Sequence, residues 1–214
     1  IPSLTGEKTT VHSRAGENVT LNCKVKLLPE LQMQNLRIHW HVFREGEGSV
    51  VHSYYAGADR LQDQAGEFQG RTHLSLRTLS QGWVSLGLTN VQPADSGEYR
   101  CIVVDTHYAV TGDVILQVSV PYETPQISVL YRDGNEVRWQ CEARGGYPEA
   151  EVTWHDGNGK QLMQSEPTEF LRTREGVCIV QSILTASVHG ARSVCCSVLH
   201  KLLRQNTSIC HKLP

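Results

Sequence analysis

The chain has 214 residues, 39% hydrophobic and 20% charged, which suits one large domain or two of roughly 100 residues and excludes collagen-like and disordered classes. Twenty Lys and Arg against 22 Asp and Glu leave a formal net charge of −2, which argues against a nucleic-acid partner, because such binders are usually basic. No apolar run approaches the roughly 20 residues that cross a bilayer. The first residues lack the basic start and apolar core of a secretion signal, and a chain beginning at Ile1 reads as a processed or trimmed fragment.

In chain order the sequence reads as short strands with period-two alternation. Val19, Leu21, Cys23 and Val25 share one face, then Ile38, Trp40 and Val42, then Tyr99, Cys101 and Val103. Glu45-Gly46-Glu47-Gly48 and Asp133-Gly134-Asn135 mark turns. Pro121 and Pro125 stiffen a short linker, which divides the chain into domains 1–120 and 121–214. The second half repeats the plan, with Val137, Trp139 and Cys141 inward, followed by Val152 and Trp154. In Val194-Cys195-Cys196-Ser197-Val198 the apolar set chooses the register, so Cys196 points inward and Cys195 outward. No long segment has a period of 3.6, so the predicted fold is all-β.

Seven cysteines make up about 3% of the chain, enough for structural disulfides but too few for a knottin-like scaffold. No CxxC pair occurs, which removes zinc ribbons and thioredoxin-type redox sites. Asn18-Val19-Thr20 and Asn206-Thr207-Ser208 are glycosylation sequons. Sequons together with several cysteines favour a secreted or cell-surface protein. The odd count leaves at least one thiol unpaired or joined to another chain.

The order Cys23, Trp40, Cys101 recurs as Cys141, Trp154, Cys196, with separations of 78 and 55 between the cysteines. Tyr99 stands two residues before Cys101 in Asp95-Ser96-Gly97-Glu98-Tyr99-Arg100-Cys101. This set resembles the immunoglobulin sandwich, in which a B–F disulfide packs against a strand-C Trp and a tyrosine corner precedes the second cysteine. The resemblance implies Cys23–Cys101 and Cys141–Cys196 disulfides. It also implies two tandem β-sandwiches: a variable-type domain, whose longer spacing admits strands C′ and C″, then a constant-type domain. Arg71 and Asp95 are placed to form the ion pair that closes the bottom of a variable-type domain. Trp40 follows Cys23 at a long distance, implying an extended B–C loop through Leu27–Asn35.

Val51-His52-Ser53-Tyr54-Tyr55, Gln69-Gly70-Arg71-Thr72 and the Asp95–Cys101 stretch resemble the B7/butyrophilin family of membrane ligands that act on T-cell receptors. Gly146-Tyr147-Pro148-Glu149-Ala150-Glu151-Val152-Thr153-Trp154 and the Cys195-Cys196 doublet with Leu202-Leu203-Arg204-Gln205-Asn206 resemble the constant domains of its costimulatory branch. The resemblance implies a cell-surface ectodomain, anchored by a segment not included here. Its front sheet of strands G, F, C and C′ would dock a T-cell receptor protein of the CD28/ICOS/PD-1 type.

The alternation supports that sheet independently. With Cys101 inward, Arg100, Ile102 and Val104 point outward on strand F, and contiguous exposed apolar area suggests an interface. His39 and His41, with Phe43 at the end, turn outward on strand C. Strand C′ supplies Tyr54 and Tyr55, and the F–G turn supplies His107 and Tyr108. Tyr and Arg are enriched in binding hot spots. The expected centre is Arg100, Ile102, Val104 and Tyr108, framed by His39, His41, Tyr54 and His107. The plainer alternative is that Ile102 and Val104 meet a neighbouring loop and that some tyrosines are core.

His39 and His41 share a face and could both reach one zinc ion, with His52 or His107 as third ligand, but no carboxylate motif stands beside them. Interface histidines are the favoured reading, and they would make binding sensitive to pH over roughly pH 5–7. No metal and no cofactor is expected. Neither a G-x-S-x-G elbow, a P-loop nor a dinucleotide fingerprint occurs, so an enzyme is not expected. A hairpin centred near Leu203 would bring Cys195 opposite Cys210 as an additional disulfide, leaving Cys178 either buried and inert, the favoured reading, or linking chains. A homophilic or junctional adhesion protein, with weak homodimerisation, is the competing function for the same two-domain plan.

Overall fold

The computed structural model describes residues 8–25, 34–106, 109–187 and 193–212. The chain forms two compact units, Ile1–Val118 and Ser119–Pro214.

The first unit contains β1 (Thr9–Arg14), β2 (Val19–Lys24), β3 (Arg37–Arg44), β4 (Glu47–Tyr55), β5 (Ala58–Asp59), β6 (Thr72–Ser75), β7 (Trp83–Leu88), β8 (Gly97–Val104) and β9 (Ala109–Ser119). One sheet has the order β1-β9-β8-β3-β4-β5, and the other β2-β7-β6. This is the variable-type arrangement expected from the sequence, with β4 and β5 in the place of C′ and C″. Alternation decides which side chains meet between the sheets. Leu21, Ile38, Trp40, Leu86, Tyr99 and Leu116 are fully buried there, each stabilising the fold by roughly 1.5–3 kcal/mol through apolar burial. Cys23 and Cys101 are bonded across this core.

Two local devices close the lower end of this unit. The Tyr99 hydroxyl donates to the Asp95 carbonyl at 2.7 Å. Burial, more than any neighbouring charge, pushes the Tyr99 phenol well above its ordinary pKa. Arg71 grips the Asp95 carboxylate with both terminal nitrogens, Nη1 at 3.2 Å. Asp95 also accepts from the Gln92 backbone N–H at 2.7 Å, completing a capping box around a single 3-10 turn. The carboxylate is thus satisfied on every side, as a buried charge must be.

The second unit contains β10 (Gln126–Asp133), β11 (Glu136–Gly146), β12 (Glu151–Asp156), β13 (Gln161–Leu162), β14 (Glu169–Arg172), β15 (Cys178–Ser187), β16 (Ser193–His200) and β17 (Gln205–Lys212). Its sheets run β10-β11-β15-β14 and β13-β12-β16-β17. Trp139, Cys141, Trp154, Leu184 and Cys196 fill the interior, and Cys141 is bonded to Cys196. Trp154 Nε1 donates to the buried Ser182 hydroxyl at 2.9 Å. Cys195 pairs directly with Cys210 across β16 and β17, and the two are bonded. Cys178 keeps a free thiol and is buried at the start of β15.

Candidate receptor-binding face

Strands β9, β8, β3 and β4 carry the candidate residues, and their registers place the outward side chains in rows. Val104 lies between Arg37 and Ala109, and Ile102 between His39 and Thr111. Arg100 lies between His41 and Asp113, and Glu98 between Phe43 and Ile115. The core-facing partners alternate with them: Tyr99, Cys101 and Val103 are buried, whereas Glu98, Arg100, Ile102 and Val104 are half-buried. Arg100, Ile102, Val104, His39 and His41 thus all point away from the core, as alternation predicts.

The face is aromatic along β3. The His39 and His41 rings meet edge to face at 6.4 Å between centroids, and His41 stacks on Phe43 at 6.5 Å. Arg100 spans the junction between this row and strand β9. Its Nε donates to the Asp113 carboxylate at 2.7 Å, a terminal nitrogen reaches Glu98 at 3.5 Å, and its guanidinium lies 5.2 Å from the Phe43 ring centroid. Such a cation–π contact restrains the side chain without covering its outer surface. Beside Val104 an open depression of about 350 Å³ is lined by Leu36, Arg37, Tyr55, Asp105 and Thr106 among others.

Tyr54 requires a correction. It pairs with Ile38 and packs against the core, whereas Tyr55 faces outward with its ring 6.5 Å from His39. The cause is a bulge in the β3–β4 ladder: Trp40 pairs with His52 and His41 with Val50, so Val51 is the extra residue. Val51 and His52 are consecutive and both buried. Alternation counted from Val51 turns Tyr54 outward; the bulge shifts the parity by one and turns Tyr55 outward instead. His107 and Tyr108 lie outside the described residues.

His52 does not join the outer histidines. Its Nδ1 bonds Thr72 Oγ1 and its Nε2 bonds Asp59, both at 2.9 Å, on the buried side of the sheet. Among the described residues no group of three metal-type ligands forms. The pKa of His39 is lowered chiefly by burial and then by the charges of His41 and Arg37; that of His41 is lowered by burial. Both rings are therefore mainly neutral at neutral pH. His39 Nδ1 is also 3.1 Å from the Ser53 hydroxyl.

Three contributors escaped the sequence reading: Asp113, which anchors Arg100, and Thr111 and Ile115 beside it. The alternation of Val114, Leu116 and Val118 on strand β9 was the available signal. Both sequon asparagines, Asn18 and Asn206, are exposed.

Comparison with known proteins places the chain in a family. Residues 6–120 match the immunoglobulin V-set domain, and residues 123–208 match the immunoglobulin C domain described as butyrophilin subfamily 3 member A2-like. Butyrophilin subfamily 1 member A1 of Mus musculus is 26% identical over 211 residues, covering 99% of this chain and 39% of the relative. The CD276 antigen homolog of Xenopus laevis is 26% identical over 178 residues, covering 81% of this chain and 56% of the relative. The chain thus spans about half or less of the length of these relatives. The crystal structure of bovine butyrophilin superposes with a TM-score of 0.82 at 24% identity, covering 98% of this chain and 97% of that one. A chain from the crystal structure of ICOS in complex with ICOS-L and an anti ICOS-L VNAR domain superposes at 0.80 and 22% identity, covering 96% and 99%. With a V-set domain followed by a butyrophilin-type C domain, the chain belongs to the B7/butyrophilin family of the immunoglobulin superfamily.

Proposed function

We propose that this chain is the extracellular ligand portion of a cell-surface protein, and that its V-set domain binds a T-cell receptor protein of the CD28/ICOS/PD-1 type through the sheet containing β9, β8, β3 and β4. The observation that carries the reading is the outward lattice itself. Ile102 and Val104 form an apolar centre, His39, His41, Phe43 and Tyr55 form an aromatic flank, and Arg100 is held in place between them. A pre-ordered Arg and a ring-rich surface lose little side-chain entropy on association, as hot spots require. The relatives are immunoglobulin-superfamily proteins of the butyrophilin and CD276 groups, and one similar fold comes from a complex of ICOS with ICOS-L. The function is recognition without catalysis, in the service of immune regulation. Exposed Asn18 and Asn206 are the proposed glycan attachment points.

The test is surface-plasmon binding of this fragment to the ectodomains of CD28, the inducible costimulator and PD-1, with an Ile102→Asp/Val104→Asp variant as matched control. Saturable binding to one receptor, lost in a variant that stays folded, supports both ligand class and face. Absence of binding to all three, with self-association in sedimentation, would replace this reading with homophilic adhesion.

A further inference from the structure

The three disulfides differ in what surrounds them. Cys23, Cys101, Cys141 and Cys196 are each at most 1% exposed, so no external thiol reaches their sulfurs while the domains are folded. Cys195 and Cys210 stand on the outward face of the sheet formed by β13, β12, β16 and β17, where Cys210 is exposed and Cys195 half-buried. They are directly opposed in the ladder, with Cα atoms 4.0 Å apart, against 6.3 Å for both core disulfides.

The bond also adds little that the fold lacks. It closes a separation of only 15 residues, against 78 and 55 for the others, and a shorter loop removes less entropy from the unfolded chain. The same hairpin is already held by backbone pairing from Ser193–Lys212 to His200–Gln205, and by a 2.7 Å bond between the Ser197 and Ser208 hydroxyls. We infer that Cys195–Cys210 is a thiol–disulfide exchange site that opens in the folded protein, with an external thiol or dithiol as its reductant.

The exchange balances in two steps. A reductant thiolate attacks the Cys210 sulfur, the Cys195–Cys210 bond breaks as the new S–S bond forms, and Cys195 leaves as a thiolate that takes a proton from water. A second reductant thiolate then attacks the reductant's sulfur in the mixed disulfide. Cys210 leaves as a thiolate and is protonated, and the reductant departs as its own disulfide, having given two electrons. His155 is paired with Cys195, Ser197 and Ser208 form the next row, and Lys212 lies two residues beyond Cys210 on the same face. None of these neighbours is a carboxylate that would repel the incoming thiolate. Scrambling is blocked by the pleat: Cys196 is adjacent in sequence but points to the opposite face, where it is bonded to Cys141. The released pair can therefore re-form.

The folded fragment is treated at neutral pH, without denaturant, with reduced glutathione in one arm and with a CxxC dithiol protein of the thioredoxin type in another. Free thiols are trapped with one alkylating reagent, the remainder are reduced and labelled with a second, and peptides are mapped by mass spectrometry. Cys195 and Cys210 are expected to open on the order of tenfold or more faster than the four core cysteines, with unchanged circular dichroism. Opening in both arms identifies a general thiol site, and opening in the dithiol arm alone identifies a site for dithiol proteins. Opening no faster than the core bonds, or only together with loss of fold, overturns the inference. A Cys195→Ser/Cys210→Ser variant is expected to fold; failure to fold would make the bond structural and overturn it equally.

Discussion

Arg100 on β8 and Asp113 on β9 face each other across the ladder, and the guanidinium donates to the carboxylate at 2.7 Å while lying 5.2 Å from the Phe43 ring centroid. Asp113 is the better buried partner, and Arg100 keeps more than a third of its side chain in solvent. The pair therefore contributes little to stability, about 0–1 kcal/mol, and its role is to orient Arg100. Under the proposed function, Asp113→Asn should weaken receptor binding by roughly threefold to tenfold, and Arg100→Ala by about tenfold or more. Both variants should melt within a few degrees of the parent. Binding isotherms beside thermal melts separate the two effects, and unchanged affinity in both variants would remove Arg100 from the centre of the face.

The ion pair at the other end of the domain has the opposite balance. Asp95 is 4% exposed in its side chain and receives Arg71 together with the Gln92 N–H. Asp95→Ala removes the counter-charge of a half-buried guanidinium, which keeps its bonds to the Thr89, Glu67 and Asn90 carbonyls, and leaves the Gln92 N–H without its acceptor. The expected loss is about 2–4 kcal/mol, measured by denaturant unfolding with the slope unchanged. Binding at the distant face should persist while the domain remains folded. A loss below 0.5 kcal/mol would show that the Thr89, Glu67 and Asn90 carbonyls, with water, satisfy Arg71 as well as Asp95 does.

The sandwich was legible in the sequence because its evidence is local. Each strand carries its own alternation, and Cys23, Trp40, Tyr99 and Cys101 mark the core side of three strands. Arg71 and Asp95 were found by position within that pattern. What alternation cannot show is a break in alternation: Val51 inserts one residue into β4, and Tyr54 and Tyr55 exchange faces without any change in local composition. Cross-strand partners are equally hidden. Nothing near Arg100 in sequence announces Asp113, because the pairing depends on the register of β8 against β9.

The two outer histidines give the domain a calculable response to acid. Their pKa values are lowered in the folded state, by burial first and, for His39, by His41 and Arg37. The unfolded chain, with ordinary values near 6.5, then binds more protons than the folded one as pH falls. Their contribution is fully present above about pH 6.5 and is lost as pH falls through the lower folded values. The melting temperature should drop between about pH 7 and pH 5, and a His39→Gln/His41→Gln variant should reduce that slope. An identical slope in the variant would assign the acid sensitivity to other groups.

Glycine at position 112 is enforced by the core disulfide. Gly112 pairs with Cys101, and a Cβ there would lie 2.5 Å from Cys23 Sγ, 3.1 Å from the Lys24 carbonyl oxygen and 3.5 Å from Cys101 Sγ. None of these atoms belongs to a flexible side-chain end, so β9 itself would have to move. Gly112→Ala should cost roughly 1–3 kcal/mol and lower the melting temperature by several degrees. Gly87 provides the contrast within the same domain: its added Cβ would meet only His73, at 3.5 and 3.8 Å, which is ordinary contact. Gly87→Ala should be neutral or stabilise by up to about 1 kcal/mol, since alanine leaves the unfolded chain less freedom to lose. Thermal melts of the two variants should therefore move apart. Equal shifts would mean that β9 yields easily around the Cys23–Cys101 bond, and that the close packing of the strand that carries Asp113 is not what holds it in place.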